Sequence, residues 1–470
     1  MIKRFIVYPA IFVALAAYIL HEAIGRLTEE QFAINGESGN VKIWQMTNQK
    51  YPPVMTALNF CISPFAKFIA PLDSHVDLME KATKETGLSD FGDEASFVPG
   101  LKSMIQSVQS GEVTLTGLGR IDAQTTLVKV LKSRLKIEAF WKAHTEIDWA
   151  IDVSDPVIIV SMPRTGSTMV HEMLAKTDLF RTLSFYEAAD PVVWPEEAKD
   201  TRVENAEQFL DMVYWYRPLM KTLHKMKARG VEEERVFEQL IFSDSIDTFY
   251  SGESYAKHVA GLNQVEVLKH VKRMLQVLQY QDYRENPGAK PKRWLLKSPP
   301  HVGRIEELLE VFPNAQIIHL HRSPSDTMKS FATLGLYAAG AVMNPVPLER
   351  AKDIVAMGME WLENWVAWRR KGEPDRERHF DMLSRQLFID PKVSLFGVLD
   401  FLKVPEKVQQ FLKKKDSIWA APRSGKVVHT FGNLGWSEIE FRQQYKELIR
   451  EYEHIVGLGD GITFPSLTNP

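Results

Sequence analysis

From about residue 155 onward, the chain alternates between short apolar runs and amphipathic segments. The runs at 157–160, 294–297 and 316–321 are almost continuously apolar, as expected for parallel strands that are buried on both faces. Each run is followed by a helical pattern, most clearly at 302–312, where apolar residues recur at helical spacing. Repeated strand–helix–strand units predict a parallel α/β sheet with right-handed crossovers.

The same pattern divides the chain into three zones. Residues 1–75 form an apolar N-terminal extension, and residues 76–150 are predicted to form a helical region that packs on the catalytic domain. The catalytic domain is expected over 151–460, with a charged helical cap at about 196–290 and mostly helical chain over 348–452. The expected architecture is a three-layer, P-loop-like α/β fold, in which helices flank a central parallel sheet and a helical extension precedes it.

The N-terminal residues suggest contact with a membrane. Lys3 and Arg4 precede an apolar run at 5–20, which is marginally short for a spanning helix of about 20 residues. A second apolar stretch at 54–72 is predicted to lie beside it. Because the chain has one cysteine, Cys61, and no N-glycosylation sequon, we expect shallow membrane attachment with a cytosol-facing body. A true span would instead place the body in the lumen by the positive-inside rule.

Composition and charge exclude several classes of protein. Of the 470 residues, 45% are hydrophobic and 25% are charged, which is typical of a globular protein rather than a disordered or multi-span membrane protein. The formal net charge of -3 argues against a nucleic-acid partner. A homodimer is compatible with these properties.

The first predicted strand leads into the segment Ser161-Met-Pro-Arg-Thr-Gly-Ser-Thr168. Backbone N–H groups at such a strand-to-helix junction bind anions, with help from the helix dipole. Gly166 lets the backbone approach the anion, Arg164 adds a permanent cation, and Ser167 and Thr168 add hydroxyl donors. A Walker loop would carry an earlier glycine and a Gly-Lys pair, and both are absent. The segment is therefore predicted to be a phosphate loop of another kind.

A second anion-binding motif follows the third predicted strand, in His319-Leu-His-Arg-Ser-Pro-Ser-Asp-Thr-Met-Lys-Ser330. It places Arg322 at the carboxyl end of the strand, where open α/β sheets bind ligands. Ser330 lies on the helix that follows. An arginine and a hydroxyl that converge on one point suit a terminal phosphate dianion.

These two motifs resemble those of the sulfotransferase superfamily, and in particular of its bacterial-type general sulfotransferases. In that family P-[RK]-[ST]-G-[ST]-[ST] holds the 5′-phosphosulfate of 3′-phosphoadenosine-5′-phosphosulfate (PAPS), and R-x-P-x-x-x-x-x-S holds its 3′-phosphate. The segments 296–301 and 312–315 resemble the chain between the two motifs, and Arg423-Ser-Gly-Lys426 resembles a loop that folds over the nucleotide. The resemblance covers residues from about 85 to 455.

The resemblance implies a sulfotransferase that uses PAPS as its sulfonate donor. The residues that it implies for donor binding are Arg164, Thr165, Gly166, Ser167, Thr168, Arg322, Ser330, Arg423 and Lys426. A sulfuryl group carries less negative charge than a phosphoryl group, so cationic side chains and N–H donors can stabilise its transfer without a metal. The sequence has no His, Cys or Asp cluster at metal-ligand spacing, and no metal cofactor is expected.

The acceptor hydroxyl must lose a proton, so a general base is expected near the donor. Glu187 is the first candidate, because several carbohydrate and protein sulfotransferases place a catalytic glutamate at about that point of the fold. His301 is the second candidate, because it follows the strand at 294–297 and its ring has a suitable pKa. Glu234 is the third, within an acidic run that is more often a solvated helix face. Lys297 is either a group that offsets charge on the leaving oxygen or a structural lysine at a strand end.

The acceptor itself is predicted only by class, as a small molecule or lipid that carries a hydroxyl or an amine. The apolar residues at 5–20 and 331–345 favour a lipid or another amphipathic alcohol over a sugar. Two alternatives stay open. A P-loop nucleotide kinase or nucleoside-triphosphatase is disfavoured by the missing Gly-Lys pair. A non-catalytic, PAPS-binding membrane scaffold is not excluded by the donor motifs alone.

Overall fold

The computed structural model describes most of the chain, in the ranges 52–196, 198–244, 252–372, 375–419 and 431–458. The apolar run at 5–20 and the predicted nucleotide-covering residues Arg423 and Lys426 lie outside the described residues. Within these ranges, none of the helices has both the length and the apolar content needed to cross a bilayer.

Five parallel strands form the central sheet of the described chain. They are β1 (Val157–Ser161), β2 (Phe180–Thr182), β3 (Arg293–Lys297), β4 (Gln316–His321) and β5 (His379–Leu383). The strand order β2-β3-β1-β4-β5 places β1 in the centre. Val157 is in register with Leu295 of β3 on one side and with Gln316 of β4 on the other. The carboxyl ends of β3, β1 and β4 therefore lie side by side, where this class of sheet binds ligands.

The side chains of β1 alternate between two hydrophobic cores, one on each face of the sheet. Ile158 and Val160 belong to the larger core, whereas Val157 and Ile159 belong to the smaller one. All four side chains are fully buried. A strand that is covered on both faces reads as a continuous apolar run, which is the pattern of β1. The structure thus confirms the predicted three-layer α/β fold.

A helical region precedes the sheet. Its helices are α1 (Pro53–Ile62), α2 (Ala66–Ile69), α3 (His75–Thr86), α4 (Val98–Gln109), α5 (Gly117–Ala143) and α6 (Ile147–Ala150), with 3-10 helices at Ser63–Phe65 and Glu94–Ser96. The hydroxyl of Thr116 caps the start of α5 by accepting a hydrogen bond from the N–H of Gly119 at 3.0 Å. Leu131 and Leu135 of α5 pack in the same core as Ile158, so this region covers one face of the sheet.

The chain between β1 and β3 is mostly helical, as expected for the cap. Its elements are α7 (Ser167–Ala175), α8 (Phe185–Ala189), α9 (Arg202–Tyr216), α10 (Met220–Leu223), a 3-10 helix at Glu234–Ile241, α11 (Glu253–Ala260) and α12 (Gln264–Glu285). Val271, Met274 and Leu278 of α12 are buried in the larger core. The last helix of this stretch is thus part of the catalytic core rather than only a cover.

After β3 the chain forms a 3-10 helix at Pro299–Gly303 and then α13 (Ile305–Val311). Two long helices flank the end of the sheet: α14 (Pro324–Ala339) and α15 (Glu349–Arg370). The remaining elements are α16 (Ser384–Ile389), α17 (Pro391–Phe401), α18 (Glu406–Lys413), α19 (Asp416–Trp419), a 3-10 helix at Phe431–Leu434, α20 (Glu438–Gln444) and α21 (Lys446–Ile455).

The stretch 348–452, which was predicted to be mostly helical, also contains β5, an edge strand in which polar His379 and Asp381 interrupt the apolar pattern. The apolar stretch 331–345 belongs largely to the core, since Phe331, Leu336 and Val342 are buried there. That stretch therefore gives no support to an apolar acceptor site.

Candidate active site

The segment 161–168, which we call the donor loop after its predicted ligand, turns sharply between β1 and α7. Gly166 has φ 96°, a left-handed conformation that L side chains rarely adopt, and α7 starts at the next residue. A Cβ atom at Gly166 would lie 3.1 Å from Cδ2 of Leu387, so the absence of a side chain also keeps this approach open. The first-turn N–H groups of α7 have no acceptor within the helix, which makes this turn an anion cradle.

Other residues of the donor loop hold it in shape. The Thr165 hydroxyl is buried and donates to the carbonyl oxygen of Met162 at 3.0 Å, which closes the loop from inside. Arg164 has φ 67°, an unfavourable value for a residue with a side chain. Such strained positions persist only where surrounding contacts fix them, and they are common at binding sites.

The two predicted anion motifs meet through their side chains. The Arg164 Nε atom donates to the Ser330 hydroxyl at 3.1 Å, and the Arg322 Nη1 atom donates to the Arg164 carbonyl oxygen at 2.9 Å. The Arg164 Nη1 atom also donates to the carbonyl oxygen of Leu223 at 2.9 Å. Residues 166 positions apart in the chain therefore form one polar cluster at the carboxyl ends of β1 and β4.

This cluster has an excess of positive charge. Within the described ranges, no carboxylate forms an ion pair with half-buried Arg164, and burial together with nearby Arg322 lowers the pKa of its guanidinium. Among the described carboxylates, only Asp326 pairs with Arg322, at 3.7 Å. Two close cations whose charge is so weakly neutralised by carboxylates favour the binding of an anion.

Lys297 approaches the donor loop from the other side, at the end of β3. Its Nζ atom lies 3.5 Å from the Thr168 hydroxyl and forms an ion pair with the Glu233 carboxylate. Its backbone N–H donates to Glu234 at 2.9 Å. Lys297 is 3% exposed, so the structure brings this lysine to the loop and holds it there.

The acidic run Glu232–Glu234 is not a solvated helix face, contrary to the more common outcome for such runs. Glu233 binds Lys297 and also accepts from Arg235 Nε at 2.8 Å. Glu234 is 1% exposed, and its carboxylate lies 2.5 Å from Nε2 of His301. The run therefore supplies buried counter-charges beside the donor loop.

Glu187 lies at the start of α8, where its carboxylate is fully engaged. It completes a capping box with Ser184, whose N–H it accepts at 2.9 Å, and it pairs with Arg181 at 2.5 Å. Burial would raise the pKa of Glu187, but the Arg181 guanidinium outweighs burial and the net pKa is lowered. These contacts describe a structural role; they do not test a catalytic one.

His301 lies in the 3-10 helix after β3 and is 1% exposed. Its Nε2 atom contacts Glu234, and its Nδ1 atom lies 3.4 Å from Nε of Arg304. Both ring nitrogens therefore have protein partners. Its assignment as a general base stays a prediction.

A small cavity opens between the donor loop, β3 and the chain that follows α10. Thr168, Lys297 and Glu233 line it, together with His171 and His224. His224 was not predicted from the sequence, because the residue stands alone in a charged segment, outside any motif. Only the path of the chain brings it next to the donor loop.

Folding also brings together one group of potential metal ligands that the sequence spacing does not reveal. The donor atoms of His319, His379 and Asp381 lie within 4.8 Å of one another. Hydrogen bonds account for this cluster, since Trp365 Nε1 donates to His319 at 3.1 Å and Arg369 Nη1 donates to Asp381 at 3.0 Å.

A parallel α/β sheet with two joined anion-binding motifs at its carboxyl end is the arrangement expected of an enzyme that binds an anionic ligand. The model of the sulfotransferase family matches residues 156–408, which is more than half of the chain. The chain therefore belongs to the sulfotransferase family and is a transferase. This confirms the family expected from the two motifs.

Solved structures agree on the fold. Sulfotransferase STF1 from Mycobacterium tuberculosis H37Rv matches with a TM-score of 0.65 and 20% identity, over 82% of this chain and 99% of that one. Sulfotransferase STF9 from Mycobacterium avium matches with a TM-score of 0.65 and 23% identity, over 80% of this chain and 96% of that one. No curated protein matches the chain significantly.

Proposed function

We propose that this sulfotransferase moves the sulfuryl group of PAPS to a hydroxyl group of its acceptor. The observation that carries the proposal is the junction of the two anion motifs, in which Arg164 contacts Ser330 at 3.1 Å and Arg322 contacts the Arg164 carbonyl at 2.9 Å. PAPS has two anionic ends, a 5′-phosphosulfate and a 3′-phosphate, and a site with two adjacent cationic grips suits such a donor.

Each of the two anion-binding motifs has a separate role in this proposal. The N–H groups at the start of α7, with Arg164 and Thr168, would hold the phosphosulfate. Arg322 and Ser330 would hold the 3′-phosphate. Lys297 would offset the charge that develops on the leaving oxygen, because it is fixed 3.5 Å from the Thr168 hydroxyl.

The acceptor stays less defined than the donor. A lipid or amphipathic alcohol remains a prediction that rests on the apolar run at 5–20, since the stretch 331–345 is largely core. Shallow membrane attachment through residues 5–20 and a cytosol-facing body are predictions on the same basis, and the homodimer and the domain boundaries also remain predictions.

Binding of adenosine 3′,5′-bisphosphate (PAP) tests the donor. Calorimetry should show that the wild-type protein binds PAP more tightly than AMP, which lacks the 3′-phosphate. Hydrogen bonds to charged groups contribute about 1.5–3 kcal/mol, so we expect Arg164→Ala to weaken PAP binding by about 10- to 100-fold. Arg376→Ala, which changes an exposed arginine, is the matched control.

The alternatives predict other results. A nucleotide kinase would bind ATP with Mg²⁺ more tightly than PAP. A non-catalytic scaffold would bind PAP but release none from PAPS with any hydroxylated acceptor. Equal affinities for PAP and AMP, or unchanged PAP binding in Arg164→Ala, would contradict the assignment of the donor site.

A further inference from the structure

The cavity beside the donor loop and the side chain of Arg322 lie on opposite sides of β1. β1 has β3 on one side and β4 on the other, and Arg322 directly follows β4. Lys297 and Glu233 line the cavity on the β3 side. If the nucleotide binds on the β4 side, this cavity gives the acceptor a separate approach to the donor loop.

His224 is well placed to meet that acceptor. It follows α10 directly, and its neighbour Leu223 supplies the carbonyl oxygen that receives Arg164 at 2.9 Å. Its half-buried ring lines the cavity with Thr168 and Lys297. Among the described residues, the ring makes no hydrogen bond, so its nitrogens are available to a ligand.

The charges around His224 suit proton transfer. Burial lowers the pKa of His224 to about 4, the Glu233 carboxylate opposes this effect, and Lys297 and Arg164 add to it. The ring is therefore neutral at physiological pH, as a base must be. A bound phosphosulfate would add negative charge beside the ring and raise its basicity at the moment when it is needed.

We propose that His224 is the general base that takes the proton from the acceptor hydroxyl, which rests on the proposed PAPS-dependent function. The acceptor oxygen forms a bond to sulfur while the bond between sulfur and the bridging phosphate oxygen breaks. The electron pair of that bond leaves with PAP, and the acceptor proton moves to a ring nitrogen of His224 and then to solvent. Atoms and charges balance without a further reactant.

Three other ionisable residues near the cavity, Glu233, His171 and His301, fit this role less well. Ion pairing with Lys297 and Arg235 outweighs burial and lowers the pKa of Glu233 to about 2, which makes its carboxylate a weak base. His171 also lines the cavity, but both of its ring nitrogens are fully buried, so it is less accessible to an acceptor than half-buried His224. Both ring nitrogens of His301 already face protein partners. His224 thus combines access, neutrality and position.

The test measures PAP release from PAPS with three acceptors: water, 4-methylphenol and 4-nitrophenol. At mildly alkaline pH, 4-nitrophenol is largely ionised and needs no base. 4-Methylphenol stays un-ionised there, because the hydroxyl of an ordinary phenol has a pKa of about 10. We expect His224→Asn to slow the water and 4-methylphenol reactions by about 10²- to 10⁴-fold. The 4-nitrophenol reaction and PAP affinity should change little. His454→Asn, an exposed histidine of α21, is the matched control, and His301→Asn and Glu187→Gln are the rival variants.

Two results would overturn the proposal. The first is a His224→Asn variant that releases PAP at the wild-type rate with all three acceptors, or that loses the same fraction of this rate with both phenols. The second is a selective loss with 4-methylphenol in His301→Asn or Glu187→Gln but not in His224→Asn. Failure of the proposed function itself looks different, because the wild-type protein would then neither prefer PAP to AMP nor release PAP from PAPS.

Discussion

Replacement of Tyr452 by phenylalanine tests how the C-terminal helix α21 supports the donor site. The Tyr452 hydroxyl is buried between β4 and α21, where it lies 3.1 Å from Nδ1 of His321. The Asp381 carboxylate lies 2.7 Å from the other ring nitrogen of His321 and so favours a proton there. The Tyr452 hydroxyl therefore donates to Nδ1 of His321.

Tyr452→Phe keeps the ring and removes only the hydroxyl, so it creates almost no cavity. It leaves one buried group, Nδ1 of His321, without its partner. An unsatisfied buried group costs about 1–3 kcal/mol, so we expect the free energy of unfolding to fall by about that amount. Because His321 directly precedes Arg322, PAP affinity should also fall while AMP affinity is kept.

Urea unfolding followed by tryptophan fluorescence measures the stability, and calorimetry measures the two affinities. Tyr445→Phe is the matched control, because Tyr445 is a half-buried tyrosine between α20 and α21; its effect should stay within about 0.5 kcal/mol. A loss below that limit in Tyr452→Phe, or an equal loss in the control, would refute the reasoning.

Two further predictions concern the donor loop and the buried histidines. Gly166→Ala should lower stability more than Gly111→Ala and should abolish PAP binding in calorimetry. Both glycines have positive φ, so a side chain costs about 1–2 kcal/mol of strain at either position. Only the added Cβ at position 166 meets a neighbour, Leu387 at 3.1 Å, whereas a Cβ at position 111 meets nothing. Burial, with Lys297 as second cause, lowers the pKa of His171 to about 4, so the unfolded chain binds the proton first. Stability should therefore fall by about 3 kcal/mol as pH drops from about 6.5 to 4, and urea titrations of His171→Asn should show a shallower fall.

The fold was predictable from sequence where the burial pattern is uniform. β1 and β4 are covered on both faces, and their continuous apolar runs reveal them. β5 was not predictable in this way, because it is an edge strand in which His379 and Asp381 take part in a polar network. The role of the run 331–345 could not be read from sequence, for the opposite reason. Apolar residues at helical spacing are as typical of core as of a binding pocket, and only packing distinguishes the two.

The proposed donor side of the site could be predicted because its chemistry is local. Backbone N–H groups, a glycine with positive φ and a helix start all lie within a few residues, so a short motif carries them. The proposed acceptor side has no such motif. Lys297, His224 and Glu233 meet only because β3 lies beside β1 and because the chain after α10 returns to the donor loop.

This difference follows from what each ligand requires. A donor with fixed phosphates can be held by one rigid loop geometry, whereas the acceptor flank combines a strand end with an irregular segment between α10 and the 3-10 helix at Glu234–Ile241. Loops that are held by a rigid scaffold vary more readily than the scaffold itself. We therefore infer that acceptor specificity resides in the segment 224–233, and that exchange of this segment between related sulfotransferases would change the acceptor without weakening PAP binding.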